Sequence, residues 1–156
     1  MTRVFSQNYD STSLFPDGAM GSIRFSDGEE FNTLGPTTYV RRNSAYRGAY
    51  SLGIYQAHAG AYSNTWMSFP ASARSDETLR VSFWAYNPFS SSVTIYLQRA
   101  GGSRLTQSVP PGSWTLVTAD VRSGLSTGTV SLFLGDVPNG GGGVSFRIDE
   151  LTIDRF

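Results

Sequence analysis

The sequence predicts an all-β, two-sheet antiparallel sandwich, and three observations predict it. Short runs in which apolar and polar residues alternate recur along the chain. Clusters of Gly, Pro, Asn and Ser punctuate those runs. The 3.6-residue period of an amphipathic helix is nearly absent. The predicted strands are, in order, Arg3 to Asn8, Thr37 to Arg42, Tyr50 to Tyr55, Asn64 to Phe69, Thr78 to Tyr86, Ser92 to Gln98, Arg104 to Ser108, Ser113 to Val121, Thr129 to Gly135 and Val144 to Ile153. About ten strands in one unit need two packed sheets to bury their apolar faces.

Each element carries its own signal. In Leu79 to Tyr86, Leu79, Val81, Phe83 and Ala85 fall on one face, and Arg80, Ser82, Trp84 and Tyr86 on the other. The next strand turns Val93, Ile95 and Leu97 inward and Thr94, Tyr96 and Gln98 outward, and the later one turns Val130, Leu132 and Leu134 inward and Ser131 and Phe133 outward. The last strand breaks its own alternation, since Phe146 and Ile148 share one parity and Leu151 and Ile153 the other; a bulge near Asp149 and Glu150 explains the switch. Residues 11–36, rich in Gly, Asp, Ser and Phe without a clean period, read as a long connection with one short hairpin around Asp27 and Gly28. The run Pro138 to Gly143 is a flexible turn, not a phosphate loop, because no helix and no Lys motif follow it.

Composition bounds the function. A chain of 156 residues with 39% hydrophobic and 13% aromatic content supports one core, so residues 1–156 read as a single domain. Twelve basic and twelve acidic residues give a formal charge of +0, which offers no long-range field for nucleic acid or an anionic membrane. No stretch is apolar enough for a membrane span, and no Cys is present for a disulfide or thiolate metal site. All twelve basic residues are Arg, the codon preference of a GC-rich genome rather than a demand of the fold. The opening MTRVFSQNYDSTSLF has neither the basic nor the apolar region of a secretory signal, so the expected location is a virion or the outside of the cell by a non-standard route.

Catalysis has little support. His58 is the single histidine and reads as a loop residue without an acid-base partner. Asp27, Glu29, Glu30, Asp149 and Glu150 could supply paired carboxylates, but Glu29 and Glu30 read as solvated charge in a polar turn. The chain is expected not to be an enzyme. The expected ligand-binding residues are Arg80, Trp84, Tyr86, Tyr96, Gln98 and Phe133, gathered on an outer sheet face. Sugars present flat C–H faces and many hydroxyls, which aromatic rings beside planar polar groups recognise. Two other readings of that face stay open: burial beneath residues 11–36 through Leu14, Phe15, Ile23, Phe25 or Phe31, and a protein interface. Trp66 and Trp114 read as packing residues.

Several segments together resemble the jelly-roll carbohydrate-binding modules of the CenC-like and galactose-binding-like type. Ala45 to Leu52 resembles their "hsGsySL" turn and strand, Leu79 to Tyr86 their "YtlSFwvk" strand, Gly112 to Val117 their "g.Wt.v", and Phe146 to Ile153 their "f.lDDv.l". Asn8 to Ser11 echoes "dFEsG", while residues 11–36 depart from the pattern and carry no Trp. The resemblance implies a jelly-roll sandwich and a non-catalytic glycan-binding role. It also implies a structural calcium held by Asp149, Asp10 and backbone carbonyls near Arg47 and Gly48. Such modules are also displayed on phage particles. The expected role is therefore a capsid decoration or minor tail protein that binds host-surface glycans, with other virion proteins as partners and oligomerisation through particle assembly. The alternative is a freestanding glycan-binding module serving a glycoside hydrolase system.

Overall fold

The computed structural model describes the chain except residues 11–18, 21–22, 25–27, 34–36, 57–61, 100–101, 123–126 and 139–144. The elements are β1 (Thr2–Gln7), β2 (Ala19–Met20), β3 (Ile23–Arg24), β4 (Glu30–Thr33), β5 (Thr37–Arg42), β6 (Ser51–Gln56), β7 (Tyr62–Ala73), β8 (Leu79–Tyr86), β9 (Val93–Arg99), β10 (Leu105–Val109), β11 (Trp114–Val121), β12 (Gly128–Pro138) and β13 (Phe146–Arg155). They form two antiparallel sheets. The first has seven strands in the order β11-β8-β13-β6-β5-β2, with β1 also paired to β13; the second has six in the order β10-β9-β12-β7-β4-β3. Among the described residues no helix occurs.

The alternation in the sequence becomes the core. Leu79, Val81, Phe83 and Ala85 of β8 are fully buried against Ile95 and Leu97 of β9 and Leu132 and Leu134 of β12. Each of the Leu, Val, Ile and Phe side chains contributes about 1.5 to 3 kcal/mol by leaving water, and the Ala85 methyl less. The core ends where the parity does, because the intervening residues of β8 stay partly exposed on the outer side.

The break in β13 is a bulge. Its register with β8 slips by one residue between Asp149 and Thr152, and Glu150 sits at φ 51. Before the bulge Phe146 to Ile148 pair with β6; after it Leu151 to Arg155 pair with β1. One strand thereby serves two partners on the same side, which brings the N-terminal strand next to the turn that precedes β6.

Residues 11–36 are more than a connection. β2 extends the seven-stranded sheet beyond β5, and β3 and β4 form a hairpin that extends the six-stranded sheet beyond β7. The hairpin pairs Ile23 with Phe31 and Arg24 with Glu30, so its two strands flank Asp27 and Gly28 as expected. Glu29 corrects the reading of solvated charge: it is fully buried and accepts hydrogen bonds from the Tyr9 hydroxyl (3.0 Å) and, more weakly, Gln7 Nε2 (3.4 Å). Two-residue strands hold little by themselves, so this buried contact fastens the hairpin to the end of β1. His58, Asp27, Leu14, Phe15 and Phe25 lie outside the described residues.

Candidate functional site: two outer aromatic faces

Parity placed Arg80, Trp84, Tyr86, Tyr96, Gln98 and Phe133 on one outer face, and the structure divides them. Arg80, Trp84 and Tyr86 stand on the outer side of the seven-stranded sheet, whereas Tyr96, Gln98 and Phe133 stand on the outer side of the six-stranded sheet, across the core. Alternation distinguishes inside from outside but carries no information on which sheet a strand joins.

On the seven-stranded sheet the rings are engaged mainly with one another. Tyr46, from the turn before β6, stacks on Trp84 with centroids 3.7 Å apart and planes at 12°. Tyr86 lies 5.4 Å from Trp114, its register partner on β11, and the Arg147 guanidinium sits 5.1 Å over the Tyr86 ring. Arg80 is committed to Asp120 through two hydrogen bonds of 2.7 and 2.9 Å. That pairing raises the arginine above its ordinary pKa and lowers the aspartate below its own. Arg80 is thus a cross-strand brace between β8 and β11, not a free ligand-binding group.

On the six-stranded sheet the rings form a row across adjacent strands. Trp66 of β7 and Phe133 of β12 are register partners 5.0 Å apart, and Phe133 is in turn opposite Gln98 of β9 and 5.4 Å from Tyr96. The Arg104 guanidinium lies 4.3 Å over Tyr96 and ends the row. Tyr96 and Phe133 are 6% and 9% exposed and form the floor, while Trp66 is half-buried. Tyr96 can lie this low because Gly135 beneath it has no Cβ; an added methyl would overlap the ring. Gln98 donates to Gly102 O at 2.9 Å, which fixes its side chain in the following turn. Beyond Arg104 a groove of about 510 Å³ opens between the edge strands β10 and β11, with Leu97, Leu105 and Val117 in its lining.

Trp66 and Trp114 correct the reading of both as packing residues, since each stands half-buried on an outer face. The signal was present for Trp66, because Met67 and Phe69 are buried and their parity turns Trp66 outward.

The implied metal ligands sit at one end of the first sheet. Asp149 is fully buried; its Oδ2 accepts from Tyr46 N (2.9 Å) and Arg47 N (3.1 Å), and its Oδ1 from Glu150 N (2.8 Å). Burial pushes its carboxyl up to about 6, against the pull of those three N–H groups. Asp10 Oδ1 accepts from Ala49 N and Tyr50 N, both at 2.9 Å. Among the described residues no group of three acidic or histidine side chains is placed to hold a metal. Calcium takes six to eight oxygens, but the turn presents N–H groups to these carboxylates, so the donor set does not fit a cation.

Solved structures show that the chain has the jelly-roll sandwich fold found in carbohydrate-binding modules. The CBM22-1 xylan-binding domain of Paenibacillus barcinonensis Xyn10C is similar at TM-score 0.62 and 13% identity, over 98% of this chain and 94% of that one. The C-terminal family 22 carbohydrate-binding module of Clostridium thermocellum Xyn10B is similar at TM-score 0.60 and 15% identity, over 96% and 90%. The arabinose-bound MgGH51 α-L-arabinofuranosidase is similar at TM-score 0.59 and 11% identity, over 80% of this chain, which spans 23% of that enzyme. No protein-family model and no curated protein matches the sequence.

Proposed function

We propose that the chain is a non-catalytic module that binds an oligosaccharide across the outer face of its six-stranded sheet. The observation that carries this reading is the row Trp66, Phe133, Tyr96 and Arg104 over β7, β12, β9 and the start of β10. At about 4.8 Å between strands the row crosses three strand spacings and runs perpendicular to the chain. A polysaccharide segment lying along it meets the half-buried Trp66 ring and the exposed Arg104 guanidinium, with Phe133 and Tyr96 buried beneath as the support for both. The structurally similar CBM22 modules are xylan-binding domains, which makes xylo-oligosaccharides the first ligands to try.

The test is calorimetric titration with a panel of neutral hexasaccharides, xylohexaose first. The expected result is saturable binding that weakens at least about tenfold in Trp66→Ala, equivalent to about 1.4 kcal/mol, and is unchanged in Arg80→Ala, whose guanidinium is held by Asp120. Equal affinity in wild type and Trp66→Ala would remove the row as the site.

Display on a virion, as capsid decoration or minor tail protein, is the finer form of this proposal. Its motivation is the sequence resemblance of Ala45 to Leu52, Leu79 to Tyr86 and Phe146 to Ile153 to modules of a type also displayed on phage particles. Service beside a glycoside hydrolase is the alternative, and the similarity to modules of xylanases supports that instead. Co-sedimentation of the tagged protein with purified particles separates the two.

A further inference from the structure

We infer that Asp10 and Asp149 form a metal-independent latch that holds the turn of residues 44–50 and through it seats Tyr46 on Trp84. The two carboxylates approach the same turn from different strands. Asp149, at the β13 bulge, takes the N–H groups of Tyr46 and Arg47; Asp10, just past β1, takes those of Ala49 and Tyr50. Between the two pairs Gly48 turns the chain at φ 77, and its missing side chain leaves the space that the Asp10 carboxylate fills.

A row of N–H groups converging on an oxygen neutralises a carboxylate with dipoles. A calcium ion in the same place would face the positive ends of those dipoles, and this set offers it only the oxygen capacity left after five N–H bonds. The turn is fastened further by Ser51 Oγ donating to Ser44 O at 2.5 Å and Arg147 Nη1 donating to Ser44 Oγ at 3.0 Å. The bulge is what makes the latch: without the extra residue, β13 could not turn Asp149 into the turn and still return Leu151 and Ile153 to the core.

The latch acts on a surface feature. Tyr46 N is one of the four bonded N–H groups, and the Tyr46 ring is the layer over Trp84. Asp149 is therefore a positioning residue for an aromatic stack that contains neither of its own atoms.

The experiment uses the full chain, stripped of divalent ions with EDTA and then titrated with CaCl2 and separately with TbCl3. The expected result is an unchanged melting temperature with calcium, and no terbium luminescence sensitised through Trp84. Asp149→Asn replaces one acceptor oxygen by a donor facing an N–H, and should lower the melting temperature by roughly 3 to 8 °C and weaken the near-ultraviolet circular dichroism of the Tyr46 and Trp84 pair. Where that variant does not fold, Asp10→Asn supplies the same readouts. A calcium-dependent rise in melting temperature, terbium luminescence that Asp10→Asn abolishes, or an unaltered Tyr46 and Trp84 signal in the folded variant would overturn the inference.

Discussion

Gly135 shows how one missing methyl shapes a surface. Its backbone lies directly under the Tyr96 ring, so Tyr96 can pack close against β12 and meet Phe133. Gly135→Ala should lift that ring, lower thermal stability by about 1 to 3 kcal/mol as overpacking does, and weaken oligosaccharide binding in parallel; thermal melting and the calorimetric titration read the two effects separately. Residue types of this kind were legible in the sequence only in part. Trp84 and Phe133 were recognised as outward because parity is a local property of a strand, but the partners that occupy them were not. Tyr46 on Trp84 joins residues 38 positions apart, and nothing local to either announces the other.

At the scale of elements, the hairpin of β3 and β4 depends on a contact outside itself. Four residues of β4 and two of β3 bury too little to stand alone, and Glu29, between them and β1, is tied to the Tyr9 hydroxyl and Gln7. Tyr9→Phe takes a hydrogen bond from a buried carboxylate and should cost about 1 to 3 kcal/mol. Hydrogen exchange should show the loss concentrated in the amides of β4; a uniform loss over both sheets would argue against a local fastening. The hairpin was readable from Asp27 and Gly28, whereas the burial of Glu29 was not, because a carboxylate in a Gly-rich stretch looks solvated until a distant donor is brought to it. The β13 bulge was legible for the opposite reason: its cause, a change of parity between Ile148 and Leu151, lies within one strand.

For the whole molecule, the buried Asp149 sets a pH dependence. Its carboxyl titrates at about 6 in the folded chain and near 3.9 in an unfolded one, so the folded state holds the proton more tightly between those values. Stability is therefore greatest below about pH 4 as far as this group is concerned, and falls as pH rises through about 6, levelling off above it. Chemical denaturation at pH 4.5 and pH 7 on the wild type and Asp149→Asn checks the sign: the wild type should gain stability on acidification relative to the variant.

What the sequence determined by itself is the two-sheet sandwich, the inward or outward sense of most strand residues, and the position of the bulge. All three follow from periodicities that a strand carries within its own residues. The tertiary structure alone decided which outward residues share a face, since sheet membership is set by long-range pairing. It separated Trp84 and Tyr86 from Tyr96 and Phe133, brought Trp66 into the row, and gave Arg80 to Asp120. It also turned Asp10 and Asp149 toward backbone N–H groups, because the charge a buried carboxylate meets depends on which turn packs against it, and that turn arrives from 39 and 103 residues away.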